Sequence, residues 1–211
     1  MNAVTINPVW KTLGKLALAG LITAGSGVLA TSSQANAASA AQAATSASIP
    51  SNLSAQTGST YIKTIYKLAA NGQIPGLQAI AGKTPISAVH YKWGEPDTGG
   101  GEKANHYEFY NFGMGQGAFA FGVNKAGVIY DLRNFGESVD QTVGIKSLTF
   151  ASVIKTLGMP KEVRFSGTDK IYVYHPSAAY ELKFVGPGTA AKGKIAHIDH
   201  INVYSAKAAA Q

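Results

Sequence analysis

Hydrophobic positions along this chain follow two different periods. Tyr61, Ile65, Leu68 and Ala69 fall at i, i+4, i+7 and i+8, one face of a helix that Asn71-Gly72 closes. Ile86, Val89, His90 and Trp93 define a second short helix, with Thr84 read as its cap, Pro85 at its first position and Gly94 and Pro96 as its stop. Shifted by 64 positions, Phe150, Val153, Ile154 and Leu157 repeat that face, and Gly158 and Pro160 repeat the stop. Trp93 and Leu157 then hold equivalent last-turn positions, where both are expected to be buried. After each helix the period becomes two, over 105–112, 117–123 and 127–134 and again over 161–166, 169–175, 179–185 and 195–204. Alternating aromatic and β-branched residues between turns indicate antiparallel strands. The expected fold is α+β, with helices on one face of a six- to eight-stranded sheet. It is read as one domain over 61–206, made of two similar helix-plus-meander halves at about 82–134 and 146–204, since neither half buries its face alone.

Upstream of this domain the pattern disappears. Lys11 and Lys15 precede an uncharged apolar or small run from Leu16 to Ala30, and Ala35-Asn36-Ala37 then supplies small side chains at the −3 and −1 positions of a cleavage site. Basic, apolar and small-residue regions in that order read as a secretory signal over 1–37. The apolar run is about 15 residues, shorter than the ~20 that a membrane span needs, so no span is expected after cleavage. Residues 38–60 are almost entirely Ala, Ser, Thr, Gln and Gly and read as a disordered tether.

Composition narrows the function classes. Charged residues are only 14%, glycine supplies 24 positions, and there is no cysteine in 211 residues. Disulfide scaffolds, cysteine-type zinc sites and thiol nucleophiles are thereby excluded. Losing Lys11 and Lys15 with the signal lowers the formal charge from +7 to +5. The remaining bases are dispersed and mostly lysine, without the one-sided cluster of a nucleic-acid surface. A modest positive charge suits an anionic wall, an acidic partner patch or plain solubility.

Candidate chemistry is sparse. His197-x-Asp199-His200 would put His197 and Asp199 on one strand face and His200 on the other. A metal there needs a further donor such as His175 or Glu181, and strand histidines more often bond locally. Gly113-x-Gly115-x-Gly117 lacks the following helix that a phosphate cradle requires and reads as a hairpin loop. No Gly-x-Ser-x-Gly occurs in the domain, and Glu108 with Glu181 is only a background carboxylate pair. Tyrosines are the more informative population. Tyr107, Tyr110, Tyr172 and Tyr174 are the candidates for an outward, partner-binding sheet face, because outward tyrosine gives stiff contact area with a polar tip.

Several segments in fixed order resemble one family: Ile65-Tyr66-Lys67-Leu68-Ala69, Lys92-Trp93-Gly94-Glu95-Pro96-Asp97, Phe121-Gly122-Val123-Asn124-Lys125, Leu157-Gly158-Met159-Pro160 and His200-Ile201-Asn202-Val203-Tyr204. From Tyr61 to Tyr204 the chain resembles the YjgB-type secreted proteins of spore-forming bacteria, a family of unknown function numbered 4309. The repeated helix also resembles the repeat of β-lactamase-inhibitor-protein-like domains, although Leu148 stands where the spacing of Thr84 calls for threonine. The resemblance implies an envelope or protein-binding role and carries over no catalytic residue or cofactor. The expected function is a secreted or cell-wall-associated, non-enzymatic binding domain whose partner is an extracellular protein or wall component. The alternatives are a small hydrolase with a His/Asp site at 197–200, or a passive envelope or spore-matrix component.

Overall fold

The computed structural model of the protein describes residues 58–100, 106–113 and 115–211, all within one compact unit. The expected signal over 1–37 and most of the expected tether lie outside the described residues. Helix α1 spans Gly58–Ala70 and buries Tyr61, Ile62, Ile65 and Ala69. Its first turn takes in Gly58–Thr60, which composition had assigned to the tether. Small polar residues suit a first helical turn as well as a linker, and the apolar face behind them decides the matter. Gly72 follows at φ 78°, and a Cβ there would lie 2.5 Å from the Tyr180 ring, so the turn needs glycine for backbone and space alike.

Helix α2 (Ile86–Trp93) and helix α3 (Phe150–Leu157) are each eight residues long. Their starts differ. Thr149 caps α3 reciprocally with Ser152, each side chain bonding the other's backbone N–H. Thr84 does not cap α2, because its Oγ1 accepts from the Ile80 N–H at 2.8 Å and Pro85 occupies the N-cap. Their ends agree: Gly94 and Gly158 sit at φ 80° and 81° and bond back to His90 and Ile154. Val89 and Val153 are buried as expected, but Trp93 and Leu157 are only half-buried against the core rim. Each packs one side against the core and keeps the other in water.

Eight antiparallel strands form one sheet: β1 (Thr98–Gly99), β2 (His106–Asn111), β3 (Ala118–Val123), β4 (Ile129–Asn134), β5 (Glu162–Ser166), β6 (Asp169–Ser177), β7 (Tyr180–Pro187) and β8 (His200–Tyr204). Their order is β1-β2-β3-β4-β8-β7-β6-β5, so the final strand lies at the centre between β4 and β7. Residues 195–199, expected to extend β8, lie outside it: Ile198 donates its N–H to Leu148 O, away from the ladder, and Asp199 keeps a bond to Val185 O of β7. The Ile198 bond has a counterpart in Ile129 N–H to Thr84 O, and bridges Pro85–Val128 and Thr149–His197 sit beside the two.

Helices α1, α2 and α3 pack on one sheet face. Trp93 of α2 meets Tyr110, Phe119 and Phe121, Phe150 of α3 meets Tyr172, and α1 lies against α3, β6 and β7. Phe121, Phe184, Leu132, Leu182, Ile198 and Ile201 are fully buried there. Each such side chain contributes about 1.5–3 kcal/mol relative to exposure. A fourth short helix, α4 (Ala206–Ala209), docks at the end of β4, where Asn124 Nδ2 donates to Ala208 O at 2.8 Å.

Candidate functional site

Strand alternation gives the sheet a second face that none of α1–α3 covers. Glu108 and Tyr110 reach α2, so Tyr107 and Phe109 point the other way. Register carries that parity across the sheet. One row runs Tyr107, Gly122, Asp131, Tyr204, Glu181, and the next runs Phe109, Ala120, Arg133, Asn202, Lys183, Val173, Glu162. At Gly122/Val123 the register slips by one, and the extra residue, Tyr130, turns its ring onto this face between Tyr107 and Tyr204. A Cβ on Gly122 would lie 2.8 Å from that ring, so the missing side chain makes its place.

Asp131 anchors the centre. Its Oδ2 accepts from Tyr107 Oη at 2.9 Å and from Arg133 Nε at 3.0 Å, while Arg133 Nη2 donates to Tyr107 Oη at 2.6 Å. The guanidinium also lies 4.1 Å from the Tyr107 ring centre. Asp131 is only 2% exposed, and its Oδ1 is buried without a partner, as is Asn202 Oδ1 one row away. Burial, then the Asp131 charge, pushes the Tyr107 phenol far above its ordinary range. Toward β5 the face becomes an ion-pair ladder. Arg164 holds Glu181 through two bonds of 3.1 Å and Glu162 through one of 2.8 Å, Lys183 adds 3.2 Å to Glu181, and its Nζ sits 3.9 Å from the Tyr204 ring centre. Burial opposes ionisation of Glu181, yet the Arg164 bonds and the Lys183 charge hold its carboxyl below the ordinary range. The paired charges named here balance, and aromatic rings occupy the middle of the face.

Of the four tyrosines expected to point outward, Tyr107 does so and is 37% exposed. The other three are corrections. Tyr110 and Tyr174 are 2% and 5% exposed and bond Gly94 O and Gly158 O, and Tyr172 packs on Phe150 with its ring 4.6 Å away. Tyr107 and Tyr110 have opposite parity on one strand and therefore never share a face. Alternation shows that two faces exist but not which one the helices take.

The 197–200 cluster is spent on structure. His197 Nδ1 bonds Lys146 O at 2.8 Å, Asp199 Oδ1 takes Lys146 Nζ at 2.6 Å, and Asp199 Oδ2 bonds His200 Nδ1 at 2.8 Å. Because 197–199 lie outside the strand, the one-face argument for His197 and Asp199 does not apply. His200 hydrogen bonding, with help from Lys146, holds the Asp199 carboxyl well below its ordinary range. The suggested further donors are placed elsewhere: Glu181 is held by Arg164 and Lys183, and His175 Nε2 lies 4.0 Å from Glu162. Among the described residues no group of three His, Asp or Glu side chains is arranged to hold a metal. Glu108 and Glu181 occupy opposite sheet faces and cannot flank one bond.

Two features escaped the sequence reading. Buried Glu108 takes His90 Nε2 at 2.7 Å and His106 Nε2 at 3.0 Å. Separately, a cleft of about 430 Å³ is lined by Gly76, Lys92, Trp93, Phe112, Gln116, Phe119 and Glu137. The helical position of His90 was visible, but its partner sits 18 residues away on a strand whose register only the fold sets.

An eight-stranded antiparallel sheet with helices on one face and an aromatic, ion-paired second face defines an α+β domain. The chain belongs to the family described as domain of unknown function DUF4309, whose model matches residues 62–204. It is 30% identical over 154 residues to the uncharacterized protein YjgB of Bacillus subtilis (strain 168), covering 70% of this chain and 75% of that protein. The crystal structure of the DUF4309 family protein YjgB from Bacillus subtilis matches with a TM-score of 0.60 at 27% identity, over 70% of this chain and 97% of that one. An extracellular protein containing a SCP domain from Bacillus anthracis str. Ames aligns at 13% identity with a TM-score of 0.39, over 58% of this chain and 43% of that one.

Proposed function

We propose that this chain is a non-enzymatic binding domain, secreted or associated with the cell wall, that holds an extracellular protein or a wall component on its helix-free sheet face. The observation that carries the reading is Tyr107, 37% exposed at the middle of this face and fixed by hydrogen bonds with buried Asp131 and with Arg133. A ring already held in place loses little freedom when a partner covers it. Tyrosine and arginine at the centre of a face are also the residue types that dominate binding energy. The binding residues on this reading are Tyr107 and Arg133, with Tyr130 and Tyr204 behind them. Placement outside the cell rests on the Lys11/Lys15, Leu16–Ala30 and Ala35-x-Ala37 pattern. The parallel Ile129 and Ile198 bonds favour two halves of common design, consistent with the β-lactamase-inhibitor-like repeat.

Co-sedimentation with isolated cell walls and capture from culture supernatant, each run with the parent and with Tyr107→Ala, test this reading. Saturable binding that Tyr107→Ala weakens at least ~10-fold supports it. Binding indifferent to Tyr107 and Arg133, or a secreted form whose intact mass retains Met1, counts against it.

A further inference from the structure

The two edges of the sheet are unlike. At one end β1 has two residues, whereas at the other β5 has five, four of them exposed. Ser166 and Asp169 flank the two-residue turn Gly167-Thr168, and in such a hairpin the flanking residues exchange hydrogen bonds. Bonded pairs then alternate along the ladder, so Glu162, Arg164 and Ser166 bond inward to β6. Val163 and Phe165 aim their N–H and C=O groups away from the sheet. Their side chains share the helix side of the edge, where Val163 is 46% and Phe165 70% exposed. An open edge with free backbone groups and exposed apolar side chains is a template for another strand.

We propose that β5 pairs with β5 of a second copy of this chain, antiparallel about a two-fold axis at Val163. The self-complementarity of Glu162-Val163-Arg164 selects that occupant and register. With Val163 opposite Val163, each Glu162 faces the other copy's Arg164, in the closer non-hydrogen-bonded pairs of the new ladder. The new ladder ends there, because Lys161 donates its N–H inward to Val173 O at 2.9 Å. Moving the axis to Arg164 would set two guanidinium groups opposite each other, and moving it to Phe165 would leave Glu162 without a basic partner. Arg164 keeps both of its bonds to Glu181 in the favoured register, because those run inward across the sheet. The product is one continuous sheet with two helix-free faces side by side.

Sedimentation velocity of the purified protein from about 1 to about 200 μM is expected to show a concentration-dependent shift from monomer to dimer mass. Glu162→Arg should weaken the dimer at least tenfold, and Val163→Pro, which removes an N–H that no intrachain strand uses, should leave a monomer with unchanged far-ultraviolet circular dichroism. Because the chain has no cysteine, Val163→Cys provides a single thiol at the axis. Directly opposed strand residues lie ~5.5 Å apart at Cα, within disulfide reach, so mild oxidation should give a covalent dimer, whereas Ser166→Cys should not. A protein that stays monomeric over the whole range, or Ser166→Cys cross-linking as readily as Val163→Cys, overturns the proposal.

Discussion

Tyr110 and Tyr174 perform the same task in different parts of the chain. Each phenol donates to the carbonyl of the glycine that ends the helix sixteen residues earlier, at 3.2 Å to Gly94 and 2.8 Å to Gly158. The bond ties a helix C-terminus to the sheet and satisfies a carbonyl that the helix leaves open. Tyr110→Phe and Tyr174→Phe should each cost about 0.5–1.5 kcal/mol in urea unfolding, additively because the sites are separate. Burial raises the Tyr174 phenol to about 12, so that contribution is complete below the ordinary phenol pKa and lost as pH rises through about 12. Absorbance titration at 295 nm checks it.

Gly94 and Gly158 combine φ near 80° with ψ of −160° and −171°, a region open to glycine alone, and a Cβ on either meets nothing within 4 Å. Gly94→Ala and Gly158→Ala should therefore lose about 1–3 kcal/mol from backbone strain without any clash. Equal thermal stability of parent and variants would refute that conformational assignment.

Arg133 and Asp131 are unequal partners, with side chains 30% and 2% exposed. Arg133→Met leaves a buried carboxylate without its cation and should cost about 2–4 kcal/mol, below the 3–5 of a fully buried pair because the arginine reaches water. Asp131→Asn removes the charge and keeps the shape, so it should cost less. Chemical denaturation of both variants gives the ranking.

Acid stability has a local contributor in Asp199. Its carboxyl is held low by His200 and Lys146, so the stabilisation is complete above the ordinary carboxylate pKa of about 3.9 and is lost as pH falls toward the folded value. Lys146→Met should move the midpoint of acid unfolding to higher pH. Circular dichroism between about pH 2 and 6 reads the shift.

Leu182 is fully buried on the helix-facing side, whereas Leu157 is half-buried at the core rim. Leu182→Ala should cost about 2–5 kcal/mol, and Leu157→Ala should fall at or below the lower end of that range. Thermal melts of the two variants side by side decide whether Leu157 packs only one side against the core.

Local pattern made the elements legible and left their pairing obscure. Period two marked β2 to β7 because each strand alternates aromatic or β-branched residues with smaller or polar ones, and Gly94-x-Pro96 and Gly158-x-Pro160 marked two helix ends. Strand β1 is two residues long and too short for any period. Asp131-x-Arg133 could be read as a same-side pair, since i and i+2 share a strand face. Tyr107, which completes that site, arrives from two strands away through the β2–β3 and β3–β4 registers. His197-x-Asp199 misled for the converse reason: the spacing suited a strand, but Ile198 donates its N–H to Leu148 O, away from the ladder. Thr149 escaped notice as a cap because its reciprocal partner is serine in place of the usual Glu or Gln.

Of the eight strands, the last in sequence is also the middle of the sheet, and this sets an order of events in folding. Residues up to Asn134 can pair as one meander and residues 162–187 as another, each leaving one long edge unfilled. Only β8, at His200–Tyr204, joins the two meanders, with β4 on one side and β7 on the other, and it follows both in sequence. The two meanders therefore stay unjoined until His200–Tyr204 docks between them, and that docking completes the topology. A translation product that stops before His200 keeps two unsatisfied strand edges and is the species most exposed to proteolysis and aggregation.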